Sequence, residues 1–193
     1  MWRYTMRKLR HDEITRLNPA DESVSPRHPI VAVVDNVRSL HNVGSFFRSA
    51  DGAWIEKLYL TGITATPDHP GVHKTALGAQ ETVPWQREDN TLETVRRLKR
   101  SGYTVAALEL TDTPTLASNL DAGRFPMCLV VGNEVFGVQD EVVAEADLAI
   151  EIPQFGSKHS LNVSVAFGIA VFDLVRQYRA LHRLPALDRR IAP

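Results

Sequence analysis

The chain has 193 residues, 44% hydrophobic and 23% charged, which suits one soluble domain with short extensions and a substantial core. One cysteine excludes an internal disulfide framework, no apolar run reaches the roughly 18 residues of a membrane span, and residues 1–8 lack the apolar stretch of a secretory signal, so a cytoplasmic location is expected. The net charge of −1 gives no general affinity for polyanions, but both ends are basic: residues 1–16 and residues 173–193 each carry a net +3 on an acidic body.

Residues 1–29 read as a basic extension, a short polar helix followed by a loop punctuated by Pro19, Pro26 and Pro29. Residues 30–34 (Ile-Val-Ala-Val-Val) form an unbroken apolar run typical of a strand covered on both faces. A helix is expected from about 42 to 50, a strand over 57–61, a turn-rich loop over 62–71 and a short helix over 72–77. Residues 82–85 could add an edge strand. The segment 91–101 is amphipathic, with Leu92, Val95 and Leu98 on one face and Arg96, Arg97, Lys99 and Arg100 outward. Strands are expected over 103–108 and 128–131, the latter burying Cys128. A helix over 140–146, a last strand over 148–152 and a closing helix over 160–182 complete the domain, leaving a tail over 183–193. Alternating strands and helices imply an α/β domain over 30–182, with a mostly parallel sheet and helices on both faces.

Three polar segments sit at strand carboxyl ends, where open α/β sheets bind ligands. In the first, Asn42 reads as an N-cap, Gly44 admits a close backbone approach, and Arg48 could clamp a phosphate with its planar fork or pair with a nearby acid. In the second, Gly132-Asn133-Glu134-Val135-Phe136-Gly137 follows a buried strand; its glycines suggest exposed amides, and Glu134 needs a cation, for which Arg48 is the candidate. It has neither a P-loop ending nor dinucleotide-fingerprint spacing. In the third, residues 154–166 enter the closing helix at Ser160, with Asn162 and Ser164 inside its first turn at a cost in helix propensity. His69 and His73 lack the partners of a zinc site, so no metal is expected, and His159-Ser160 has no nucleophile elbow around it.

Taken together, the segments resemble the SpoU (TrmH-like) branch of the SPOUT RNA methyltransferases over roughly residues 30–178. Motif one is Asn42-Val43-Gly44 through Arg48 and Gly52. Motif two is Gly132-Asn133-Glu134 through Gly137, and motif three is Ile152-Pro153 through Ser160-Leu161-Asn162-Val163-Ser164. The resemblance implies a C-terminal trefoil knot, a homodimer and S-adenosylmethionine (SAM) as cofactor. It implies that Gly132, Ile152 and Leu161 contact the cofactor, that Arg48 is catalytic at the target ribose, and that Asn42, Glu134, Ser160 and Asn162 order it and the substrate. Val135-Phe136 departs from the small residue often found after the motif-two acid. The short basic ends favour transfer RNA over ribosomal RNA.

The expected reaction is methyl transfer to a ribose 2′-hydroxyl, with Arg48 as a charged clamp, because arginine keeps its proton in proteins. The alternatives are the same methyl transfer on ribosomal RNA, a catalytically silent RNA-binding protein of the same fold, a base methyltransferase and a small-molecule SAM enzyme.

Overall fold

The computed structural model describes residues 7–13 and 26–184. Most of the basic extension and tail, including Arg3, Arg16, Arg189, Arg190 and the expected N-terminal helix beyond residue 13, lies outside them. In the described part of the extension, His11–Glu13 form a 3-10 turn, where Arg7 donates to both oxygens of Glu13 at 2.7 and 2.8 Å.

Seven strands form one sheet in the order β3-β2-β1-β6-β4-β7-β5, every pairing parallel. They are β1 (His28–Asp35), β2 (Ile55–Thr61), β3 (Trp85–Glu88), β4 (Thr104–Leu108), β5 (Pro114–Thr115), β6 (Met127–Val131) and β7 (Leu148–Ile150). The helices are α1 (Leu40–Ala53), α2 (Pro70–Ala76), α3 (Ala79–Thr82), α4 (Thr91–Arg100), α5 (Asp140–Glu145) and α6 (Val163–Leu181). Among the described residues no helix is long and apolar enough to cross a membrane.

The apolar runs explain the layers. In β1, Ile30, Ala32 and Val34 point to one face and pack with Phe46 and Phe47 of α1 and Phe167 and Leu174 of α6. Val31 and Val33 point to the other face, with Cys128 and Val130 of β6, Val95 and Leu98 of α4 and Val142 of α5. Phe46, Phe47 and Phe167 are fully buried, each contributing about 1.5–3 kcal/mol of transfer free energy. Burial drives the Cys128 thiol's pKa up, as befits a core residue rather than a nucleophile.

Several boundaries depart from the sequence expectation. Residue 82 is helical: Thr82 closes α3, its hydroxyl bonded to Ala79 O and to Asp51, and the edge strand starts only after Pro84. The final strand stops at Ile150, two residues early. α1 starts at Leu40, because Ser39 is the cap and its Oγ accepts from Asn42 N. α6 starts at Val163, not Ser160; Asn162 is its cap, accepting from Ser164 N and Val165 N. Its expected cost in propensity disappears, since Asn162 sits where asparagine is favoured. His69 also has a local task, its Nδ1 accepting from Gly71 N at the start of α2.

Candidate functional site

Placing β6 between β1 and β4 sets the loop that follows it against the loop after β1, and parallel pairing brings both to the carboxyl edge of the sheet. The loops are tied by direct hydrogen bonds. Asn133 Nδ2 donates to Asn36 O at 2.8 Å. Glu134 accepts Arg38 N at 3.0 Å, Ser39 N at 2.9 Å and Asn42 Nδ2 at 2.9 Å. Partial burial raises the Glu134 pKa, but these donors outweigh it and hold the carboxyl below its ordinary range.

Asn42 is the node of the site, and capping α1 through Ser39 leaves its amide free for that task. Only 7% exposed, it donates to Glu134 while its Oδ1 accepts from Asn162 Nδ2 at 3.1 Å. Ser164 Oγ lies 2.7 Å from Asn162 Oδ1 and 3.3 Å from Asn42 Oδ1. All three motifs thus meet around one amide, across sequence separations of 92 and 120 residues.

Beside this cluster opens a cavity of ≈ 570 Å³, lined by Gly132 through Gly137, Ile152, Ser160, Leu161 and Asn162 among others. Gly132 is required where it stands: a Cβ there would collide with the Gly137 carbonyl and Val138 N, backbone that cannot rotate away. Asn133 Oδ1 accepts from Val135 N at 2.9 Å and Phe136 N at 3.3 Å, so the unusual Val135-Phe136 pair rides on a tight turn with Phe136 84% exposed.

Among the described residues the lining contains Glu109, Glu134 and Glu151 but no lysine or arginine. Such a wall repels a polyphosphate nucleotide and suits a nucleoside whose reactive atom is cationic.

Arg48 does not join this cluster. Six positions beyond Asn42 on α1, it projects roughly 120° away around the helix and about 9 Å further along it. It is exposed, is not part of the cavity wall, and makes no bond to Glu134, whose donors are the three named above. The expected Arg48–Glu134 pair is therefore incorrect within one chain. Ser39 and Ser164, absent from the expected set, belong to the site; the serine three positions before Asn42 was the signal for the first. Glu109 was signalled by a charge immediately after an apolar strand.

Comparison with known proteins identifies the family to which the chain belongs. Residues 29–172 match the model of the SpoU rRNA Methylase family. The chain is 35% identical over 149 residues to the 23S rRNA (guanosine-2'-O-)-methyltransferase RlmB of Vibrio parahaemolyticus, matching 77% of this chain and 60% of that protein, so it spans less than two thirds of such a relative. An AdoMet-bound rRNA methyltransferase from Sinorhizobium meliloti superposes with a TM-score of 0.72 at 30% identity, over 79% of this chain and 58% of that one. The A. aeolicus TrmH/SpoU tRNA modifying enzyme superposes with a TM-score of 0.71 at 30% identity, over 84% of this chain and 83% of that one. With its three motifs joined at one amide and its parallel sheet shared with these relatives, the chain belongs to the SpoU rRNA methylase family.

Proposed function

We propose that the protein is a SAM-dependent RNA methyltransferase acting on a ribose 2′-hydroxyl. The observation that carries this reading is the convergence of Asn42, Glu134 and Asn162 beside a cavity that, among the described residues, is lined by three carboxylates and no lysine or arginine. SAM, when bound, supplies an electrophilic methyl group for an alcohol oxygen. Gly132, Ile152 and Leu161 would hold it, Gly132 through the tight backbone turn that it allows. Asn42, Asn162 and Glu134, with Ser160 at the rim, would order the acceptor sugar. Arg48 would grip the neighbouring phosphate and stabilise charge developing on the 2′-oxygen, while the hydroxyl proton passes to phosphate or water.

Arg48 supports a homodimer within this reading. On α6, Val165, Ile169 and Phe172 are exposed at helical spacing, continuing from Leu161 at the cavity mouth. Gly52, one turn beyond Arg48, lies against Phe172. A second copy covering this apolar stripe would bring the partner subunit's Arg48 towards the cavity. Mixing Arg48→Ala and Asn162→Ala proteins tests the arrangement: sites shared between subunits should restore roughly a quarter of wild-type activity by random pairing. No recovery, with mixed dimers demonstrated, refutes sharing. Family membership also supports the trefoil knot.

The RlmB relatives, named as 23S rRNA methyltransferases, support ribosomal RNA better than the transfer RNA towards which the basic ends lean. Within the described residues those ends are partly neutralised, Arg7 by Glu13 and Arg176 by Asp173. Transfer RNA remains the second reading, on the match to a tRNA modifying enzyme over 83% of that chain. Incubation with radiolabelled SAM and separated rRNA and tRNA, followed by nucleoside identification, tests both. Label on a 2′-O-methylated nucleoside is expected; label on a base, or none in any RNA, refutes the proposal.

A further inference from the structure

Glu109 immediately follows β4, on the opposite side of the β6 loop from Glu134. Its Oε2 accepts Val138 N at 3.0 Å and its Oε1 accepts Leu110 N at 3.0 Å, so two backbone amides fix the carboxylate against Gly137. It lines the cavity, is half-buried, and forms no ion pair among the described residues. Each oxygen has spent one lone pair on an amide and keeps another.

We propose that Glu109 is the acceptor for the ribose hydroxyls of the cofactor's adenosine. A vicinal diol presents two adjacent donors, and a carboxylate held in place by its own backbone presents two adjacent acceptors without further loss of side-chain freedom. An acid beyond the carboxyl end of the strand beside a glycine loop is also how open α/β sheets commonly take up a ribose. Glu134 is poorly placed for this task because three donors already occupy its oxygens. Glu109 would then set the nucleoside end of the cavity, and the Asn42 cluster the reacting end.

This assignment rests on SAM occupying the cavity. Calorimetry with S-adenosylhomocysteine and its 2′-deoxy and 3′-deoxy analogues, on wild-type and Glu109→Gln protein, tests it. The glutamine keeps one oxygen for Val138 N; Glu109→Ala is a second variant, and thermal melts check that both fold. Glu109→Gln should bind S-adenosylhomocysteine about tenfold more weakly. Removing the contacted hydroxyl should cost the wild type a similar factor and cost both variants little more. A deoxy penalty undiminished in the variants, or unchanged affinity for the parent ligand, overturns the proposal and leaves Glu109 a support for the loop. Wild-type protein that takes up neither SAM nor S-adenosylhomocysteine overturns the cofactor assignment itself, and this inference with it.

Discussion

Asp35, at the end of β1, is fully buried and forms no ion pair among the described residues. Its Oδ1 accepts Asn36 Nδ2 at 2.8 Å, Thr91 Oγ1 at 2.6 Å and Gln139 Nε2 at 2.7 Å, and its Oδ2 accepts Gln139 N at 3.2 Å. It thereby anchors the far end of the β6 loop to β1 and to the start of α4. Asp35→Asn keeps the shape and turns one acceptor into a donor. Three charge-assisted bonds become neutral, a loss of about 1 kcal/mol each. The new NH₂ faces Gln139 N–H and leaves a buried donor unmet, a further 1 kcal/mol or more by the same scale. Removing a buried charge recovers part of this, so a net loss of about 2–4 kcal/mol is expected. For a domain of this size that lowers the melting temperature by roughly 5–15 °C. Urea unfolding followed by circular dichroism measures it, and calorimetry should show weaker SAM binding as the loop loosens. A variant within about 0.5 kcal/mol of wild type would refute the claim that this carboxylate holds the loop.

Gly132→Ala forces a methyl group into the Gly137–Val138 backbone, so SAM binding should fall more than about tenfold, with about 1–3 kcal/mol of stability lost to overpacking; normal affinity by calorimetry would contradict the observed loop. Phe172→Asp places a charge on the exposed stripe of α6 and, on the dimer proposed above, should give monomer in sedimentation with a lower melting point; a dimer that persists would refute the covered stripe. His28 offers a pH readout: its Nδ1 lies 2.8 Å from Ala53 O and its Nε2 lies 3.0 Å from Arg179 Nη1. Burial first and the Arg179 charge after it lower its pKa, outweighing the bond to Ala53. With the folded pKa below the unfolded value near 6.5, its stabilising contribution is complete above about pH 6.5 and is lost as pH falls through the folded value. Urea midpoints between about pH 7.5 and 5 should therefore fall more steeply for wild type than for His28→Asn; parallel profiles would exclude His28 as the cause.

Much of the architecture was legible from local pattern. The runs at 30–34 and 128–131 are apolar throughout because both faces of a central parallel strand are covered, and they are β1 and β6. The spacing of Leu92, Val95 and Leu98 marks α4 because an amphipathic helix must bury one stripe. The three polar segments were also visible as positions where solubility and local propensity required nothing so elaborate.

Tertiary structure decided which polar atom does what. Capping preferences act over three or four residues, so they pointed to Asn42 and Ser160 as caps, whereas Ser39 and Asn162 cap the helices and Asn42 faces Glu134. Nothing within a short window says that β6 inserts between β1 and β4, yet that insertion brings residues 42, 134 and 162 into hydrogen-bonding range. The separation of Arg48 from Asn42 follows from the helical turn between them, and its meaning depends on the exposed α6 face beside it. Sequence periodicity settles which residues are buried, because burial is a property of one residue's face. A site is a property of distances between strands, which the order of the sheet alone supplies.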